Sequence, residues 1–450
     1  QRLLAMINHS SDLGKYLREH FAGLFAYSCN RVPEIANHIY LIDQAMRAGF
    51  GWSHGPFELM DVLGFETVGK LLKEGKHSIP HKMQEWMEKN SSWYSNKEGL
   101  RLFAELENME WKEIPGQDQF ILLNQMPKSA IVWENSGAKI WDLGDGILNV
   151  EFTSKMNTLG GDVLQGINKG IELAEKNYEG LVIANQGNNF SVGANLAMVF
   201  MMALEQDYDE LDFAIRAFQN TTMRARYSAV PVVVATQGMC FGGGCELALH
   251  ADHVLTAAEC YMGLVEFGVG LIPGGGGSKE LTRRASLSYG EGDIKLNTLK
   301  EHYLSIAMGK VSTSGHEAFD LHLLQAHKDE VITNKHTLIQ QAKNKVKLLI
   351  DRGYQQPIHE KIKVLGQSAL GMFLVGAESM QSSHYISAHD RLISEKLAHV
   401  MCGGNLSGET MVSEQYLLDL EREAFLSLCG ERKTLERIEH MLKKGKPLRN

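Results

Sequence analysis

Two long stretches of this chain carry no charge at all. Gly180 to Leu204 and Tyr227 to Cys245 contain no Asp, Glu, Lys or Arg, and each is long enough to cross a bilayer. Both are interrupted by Asn, Gln, Gly or Pro, however, and the second runs straight into Glu246. Each reads as a short apolar strand, a glycine turn and an apolar helix, buried on all sides rather than spanning a membrane. With 450 residues, 44% of them hydrophobic and 22% charged, the chain has the apolar material for such a core, and disorder is excluded as its main state. Its 45 basic and 54 acidic residues leave a net charge of −9, a poor match for nucleic acid or an anionic membrane surface.

The length predicts about three domains. Residues 1–111 read as helical. Over 33–47, Ile35, Ile39, Ile42 and Met46 share one helical face. Pro33 suits the first turn of that helix, and Gly49 and Gly51 stop it. Pro56 opens a second helix through Leu63, which Gly64 ends. Residues 112–137, with Pro115, Gly116 and Pro127, read as a linker. Strand then alternates with helix. Ala138–Asp142 and Ile147–Phe152 are two strands turned at Gly144-Asp145-Gly146, Val163–Lys176 is a helix, and Leu181–Asn185, Val232–Thr236 and Val254–Ala257 are further strands. The spacing predicts a mostly parallel sheet in an α/β domain. From about 296 to 450 the pattern is helical, with no strong strand signal.

The cysteines, Cys29, Cys240, Cys245, Cys260, Cys402 and Cys429, form no C-x-x-C pair and are too sparse for a disulfide scaffold. They read as free thiols of a reducing, cytoplasmic setting. His250 and His253 lack the spaced partners of a metal site, so no metal is expected. The glycine clusters at 49–55 and 268–274 each hold one residue too many for G-x-G-x-x-G, and none is followed by G-K-[ST]. Neither a dinucleotide fingerprint nor a phosphate loop is present.

Three other glycine segments are more informative: 190–196 (FSVGANL), 238–249 (GMCFGGGCELAL) and 261–277 (YMGLVEFGVGLIPGGGG). Gly242-Gly243-Gly244 stands between a strand and a helix, where bare backbone N–H groups and a helix N-terminus can meet a developing negative charge. The turn 190–195 offers a second exposed amide, and two such donors can bracket one carbonyl oxygen. Glycines in tight turns would leave the same trace. Two acids stand in nearly uncharged surroundings, Glu246 and Glu266. A buried carboxylate must be paired, protonated or functional, and burial tunes it toward general acid–base work. A salt bridge to a distant Arg or Lys is the other account.

The three segments resemble the enoyl-CoA hydratase (crotonase) family. Its F-x-x-G-A-D-L corresponds to Phe190–Leu196, its G-G-G-C-E-L-A to Gly242–Ala248, and its G-x-x-E with G-x-I-P-G-x-G-G to Gly263–Gly277. The one departure is Asn195 in place of Asp. The resemblance spans roughly 138–335 and implies an α/β fold with a crotonase-like spiral of ββα turns that binds an acyl-CoA thioester. By motif position it implies an oxyanion hole from the backbone N–H groups of Ala194 and Gly243. It makes Glu266 the main proton-transferring group, with Glu246 helping to orient the water. Asn195, Leu196 and Ala197 fall beside the substrate, and the apolar run 196–204 lines an acyl pocket or simply packs. Both glutamates together favour hydration over isomerisation.

Residues 42–64 resemble the C-terminal helical domain of 3-hydroxyacyl-CoA dehydrogenases, through Ala45, Met46, Gly49, Gly51, Gly55, Pro56, Phe57, Glu58 and Asp61. Asn30 sits in a C-N-R similar to that family's V-N-R. His38 and His54 do not stand in its catalytic-His context. Residues 416–450 resemble the end of bifunctional β-oxidation proteins with the dehydrogenase part first. The expected domains are therefore 1–111 (dehydrogenase-type helical), 112–137 (linker), 138–335 (hydratase-type) and 336–450 (helical extension). No cofactor is expected for the hydratase. NAD is expected for a dehydrogenase domain of the parent lying upstream of Gln1. An acyl-CoA thioester is the expected partner, with a homo-oligomer allowed and no nucleic acid or membrane span. Other acyl-CoA chemistries of the superfamily, isomerase or hydrolase, and a non-catalytic acyl-CoA scaffold are the alternatives.

Overall fold

The computed structural model describes residues 2–97 and 100–450. They fall into two compact units, Gln1–Pro127 and Lys128–Asn450.

The first unit has helices α1 (Arg2–Ile7), α2 (Asp12–Asn30), α3 (Ile39–Phe50), α4 (Pro56–Leu63), α5 (Phe65–Glu74) and α6 (His81–Lys89). Strands β1 (Tyr94–Lys97), β2 (Leu100–Glu105) and β3 (Glu110–Glu113) follow and pair antiparallel. Gly51 ends α3 in the left-handed conformation (φ 67°) and Gly64 follows α4, as the glycine signals predict. The start of α3 differs from the expected one. Residues 31–35 are turns, and His38 is extended (φ −134°, ψ 147°) just before the helix. Ile39 is therefore fully buried while Ile35 is 68% exposed. The helical reading also fails at 94–113, where Trp93 and Phe103 bury against Phe57 and Trp86 from a small sheet. The Asp43 carboxylate accepts from the N–H groups of Phe57 and Glu58 (2.9 and 3.0 Å) and from the Tyr94 hydroxyl (2.6 Å). It thus caps the start of α4 from outside.

The second unit is built on a seven-stranded sheet. Its strands are β4 (Ile131–Glu134), β5 (Ala138–Asp142), β6 (Ile147–Phe152), β7 (Gly180–Ala184), β8 (Val232–Phe241), β9 (His253–Gly263) and β10 (Glu330–Ile332), in the spatial order β10-β9-β8-β7-β6-β5-β4. β4, β5 and β6 are antiparallel, and from β6 to β10 the pairing is parallel. Part of the expected linker is thus an edge strand. Between strands lie α7 (Gly161–Asn177), α8 (Leu196–Glu205), α9 (Tyr208–Arg226) and α10 (Gly243–Leu249). After β9 come α11 (Gly277–Leu287), α12 (Lys295–Ala307), α13 (Glu317–Asp320), α14 (Leu338–Asp351), β11 (Ile362–Val364), α15 (Gly366–Ser382), α16 (Ala388–Met401), β12 (Thr410–Val412), α17 (Glu414–Cys429) and α18 (Arg432–Lys444). The short pair β11 and β12 lies in a stretch expected to be purely helical.

Every residue of β7 is buried. A Cβ on Gly170 of α7 would touch Leu181, and one on Gly180 would touch Val346 of α14. Neighbouring strand residues face opposite sides, so α7 and α14 cover opposite faces of the sheet. That explains why the strand opening the first uncharged stretch has no charge, because a strand sandwiched by helices has no solvated side; the expectation of burial on all sides fails for α8, which leaves Met198, Met201 and Leu204 exposed. No helix among the described residues is long and apolar enough to cross a membrane.

Candidate active site

The parallel strands β7, β8 and β9 each end in one of the three glycine segments. After β7, the chain at 190–195 is pinned on both sides. The N–H groups of Phe190 and Ser191 donate to Met239 O (3.1 and 3.0 Å), and Leu159 N donates to Gly193 O (2.9 Å). The Ser191 hydroxyl donates to Asn157 O (2.6 Å) and accepts from Gly193 N (3.1 Å). Gly193 sits at φ +94°, a conformation essentially reserved for glycine. A Cβ there would lie 2.9 Å from Phe241 O and 3.2 Å from Gly243 N, and one on Gly243 would lie 3.4 Å from Ala194 N. The amides of Ala194 and Gly243 therefore converge on one small space. Among the described residues, no backbone carbonyl takes up either amide.

After β8, Gly242 (φ 51°, ψ −123°) turns the chain into α10. Its N–H donates to Gly263 O (2.9 Å), and its own carbonyl accepts from Glu246 N (2.8 Å). Glu246 is thereby carried on the first turn of a fully buried helix. Its Oε1 accepts from Gly275 N and Gly277 N, both at 2.8 Å. Burial pushes its carboxyl well above the usual carboxylate range. The charges of Glu266 and Glu421 push the same way, and the two amides pull back.

After β9, Glu266 opens a single 3-10 turn (Glu266–Val269). The residue is half-buried, but its Oε2 is shut off from solvent with no hydrogen-bond partner. A Cβ on Gly242 would lie 2.8 Å from its Oε1, so that glycine gives the carboxyl its space. Burial pushes the Glu266 carboxyl up to about 7, helped by the charge of Glu421. A carboxyl with one orphaned oxygen and an affinity for protons near neutrality is suited to passing a proton to a reactant. No salt bridge neutralises Glu246 or Glu266 among the described residues.

The structure thus brings Ala194, Gly243, Glu246 and Glu266 together. Asn195, Leu196 and Ala197 continue from the same turn into α8. Leu196 is half-buried against the core and Ala197 is exposed. Asn195 is the N-cap of α8, its side chain accepting from Met198 N at 3.4 Å. Asp caps as well as Asn does, so the departure from the family pattern keeps the local structure. Asn195→Ala is expected to lower stability by about 0.5–1 kcal/mol and Asn195→Asp to leave it nearly unchanged. Urea midpoints check this, and equal losses for both would exclude the cap.

Residues that the sequence did not single out complete the site. Phe218 of α9 walls it, since Cβ atoms on Gly243 and Gly275 would lie 2.8 and 2.4 Å from its ring. Glu421 of α17 is a third carboxylate beside them, fully buried. Its Oε1 accepts from Gly276 N (2.6 Å), and its Oε2 accepts from Ser278 N (2.8 Å) and Lys279 N (3.3 Å).

Comparison with known proteins relates two regions of the chain to described families. Residues 142–292 match the model of the family "Enoyl-CoA hydratase/isomerase". They form an enoyl-CoA hydratase/isomerase domain. Residues 21–103 match the "3-hydroxyacyl-CoA dehydrogenase, C-terminal domain" family, so the chain joins the two domain types in that order. A relative from Bacillus subtilis (strain 168), named "Probable 3-hydroxyacyl-CoA dehydrogenase", is 43% identical over all of this chain, which covers 56% of that relative. One from Rickettsia felis is 30% identical over 96% of this chain, which covers 54% of it. The chain thus spans about half the length of the curated relatives it matches. The crystal structure of an enoyl-CoA hydratase from Bacillus halodurans aligns with 68% of this chain and 99% of its own at a TM-score of 0.47 and 17% identity. The hydratase/isomerase domain holds both Glu246 and Glu266, together with the two converging amides.

Proposed function

We propose that this chain hydrates trans-2-enoyl-CoA thioesters to 3-hydroxyacyl-CoA. The observation that carries the proposal is the paired placement of Glu246 and Glu266 beside the free amides of Ala194 and Gly243. The amides would polarise the thioester carbonyl and hold the enolate oxygen that forms when water adds. Two such donors are worth on the order of 10²–10³ in rate each. Glu246 and Glu266 would hold the water between them. One carboxylate takes a proton from the water as its oxygen bonds to the β-carbon, and one carboxyl returns a proton to the α-carbon. The atoms of one water are then all placed, and the pair ends with the single shared proton it began with. Glu266 is the main carrier, because its Oε2 has no competing partner. Glu246 is fixed by two amides and orients the water. Asn195, Leu196 and Ala197 would border the acyl side.

Within the longer protein that such a chain would belong to, an NAD-dependent 3-hydroxyacyl-CoA dehydrogenase domain would oxidise the product. The dehydrogenase C-terminal match at 21–103 supports that arrangement. Six buried free cysteines suit a reducing, cytoplasmic setting.

Purified chain mixed with a short enoyl-CoA tests the hydratase function. The ultraviolet absorbance of the conjugated thioester is expected to decay, with a limb near pH 7 in the profile of kcat/KM from the Glu266 carboxyl. Unchanged absorbance across pH 6–9, with binding retained, would leave an acyl-CoA scaffold instead.

A further inference from the structure

We propose that Glu421, brought in by α17 from the C-terminal part of the chain, is a positioning residue for the glutamate pair. Its role rests on the hydratase function proposed above. Four successive amides at the start of α11 alternate between two carboxylates. Gly275 N and Gly277 N donate to Glu246, while Gly276 N and Ser278 N donate to Glu421. Gly276 stands at the centre of this alternation in the left-handed conformation (φ +102°) that favours glycine. Glu246 therefore cannot shift without moving the backbone that Glu421 grips, and the converse holds.

Glu421 is itself well anchored. Leu417, Leu418 and Leu428 of the same helix are buried, and Gln219 Nε2 bridges Leu418 O (3.0 Å) and Glu421 Oε1 (3.4 Å). The charged and titratable groups around it are Glu246 of α10, Glu266 of the 3-10 turn and Lys279 of α11. Lys279 spends its ammonium on Glu414 (2.7 Å) and on His250 Nε2 (2.9 Å). The neighbouring Arg422 turns away to Asp212 (2.8 Å). Glu421 makes no ion pair among the described residues; backbone amides and the Gln219 side chain hold its carboxyl, which burial pushes up to about 7. When ionised, it raises the proton affinity of both Glu246 and Glu266. Helix α17 would thus set both where Glu246 points and the pH at which the pair works.

The test compares Glu421→Gln and Glu421→Asp with wild type by enoyl-CoA hydration across pH 5.5–9. Glutamine has nearly the same shape but loses the charge and one acceptor. It is expected to lower kcat by about 10- to 100-fold at little-changed KM, and to move the kcat/KM profile to lower pH. Aspartate keeps the charge on a shorter arm and is expected to lower kcat while leaving the profile in place. Wild-type kcat in either variant overturns the role. So does a Gln variant that is merely less stable, with an unmoved profile. If the Gln variant does not fold, the Asp variant decides through its kcat. An inactive wild type would instead remove the hydration reaction itself.

Discussion

Glu266→Gln is expected to lower hydration by about 10²–10⁴-fold, the usual worth of a positioned acid–base group, and to make the protein more stable at alkaline pH. The first effect follows from chemistry. An amide can neither take a proton from water nor return one to the α-carbon, while KM should change little because the proposed mechanism holds the thioester through backbone amides. The second follows from the cost of keeping a carboxylate in this place. In the folded chain burial raises the Glu266 carboxyl to about 7, against an ordinary value of 4.5. The folded state therefore binds that proton more tightly than the unfolded state does. The group is harmless to stability below pH 4.5. As pH rises through 4.5 toward 7, folding must keep a proton that the unfolded chain releases, or bury a charge, and stability falls. Glutamine does not titrate and escapes this loss. Its NH₂ group inherits the unpartnered site of Oε2, which takes back part of the gain. A net gain on the order of 1–2 kcal/mol at pH 8 remains. Thermal melts of both proteins at pH 5 and pH 8 measure it. A difference in Tm that is the same at both pH values would mean that Glu266 is not held in a proton-retaining environment.

The same physics explains which parts of the site were legible in the sequence. Glu246 and Glu266 stood out because each breaks a long apolar or glycine-rich run, and the glycines announced bare backbone around them. The strands β5 and β6 and the helix α4 match the residues expected from alternation and from proline and glycine punctuation. The start of α3 was harder, since a helical period also ran through Ile35 before the helix begins. The aromatic residues of 93–111 gave no clean alternation, so a small sheet went unseen. Glu421 was missed for another reason. It sits in a segment rich in Glu and Arg that reads as an ordinary amphipathic helix. Yet Leu417, Leu418, Ala424, Phe425 and Leu428 are buried at helical spacing, and Glu421 lies on that same stripe. An acid in the apolar face of a helix was the available signal. Its partners, however, are backbone amides more than 140 residues away in sequence, and no local pattern points to them.

Gly193→Ala is expected to reduce turnover by about 10²–10³-fold, the worth of an oxyanion-hole donor, while both glutamates stay in place. Two separate effects combine. At φ +94° an L-residue is strained whatever the surrounding space, at a cost of about 1–3 kcal/mol, so the turn at 190–195 will relax toward a permitted conformation. Ala194 follows directly in the chain, and its amide would swing away from that of Gly243. If the backbone does not relax, the new methyl lies 3.2 Å from Gly243 N and 2.9 Å from Phe241 O, close to where the proposed mechanism places the thioester oxygen. Either outcome removes a donor or blocks access to one. Glu246 and Glu266 are held by other segments, by the amides of 275 and 277 and by the turn after β9, so the pH profile of the residual activity should match that of wild type. The pairing of a large fall in kcat with an unmoved profile separates this variant from Glu421→Gln. Wild-type turnover in Gly193→Ala would show that the Ala194 and Gly243 amides do not bind the reacting carbonyl, and a shifted profile would place the damage in the glutamate pair instead.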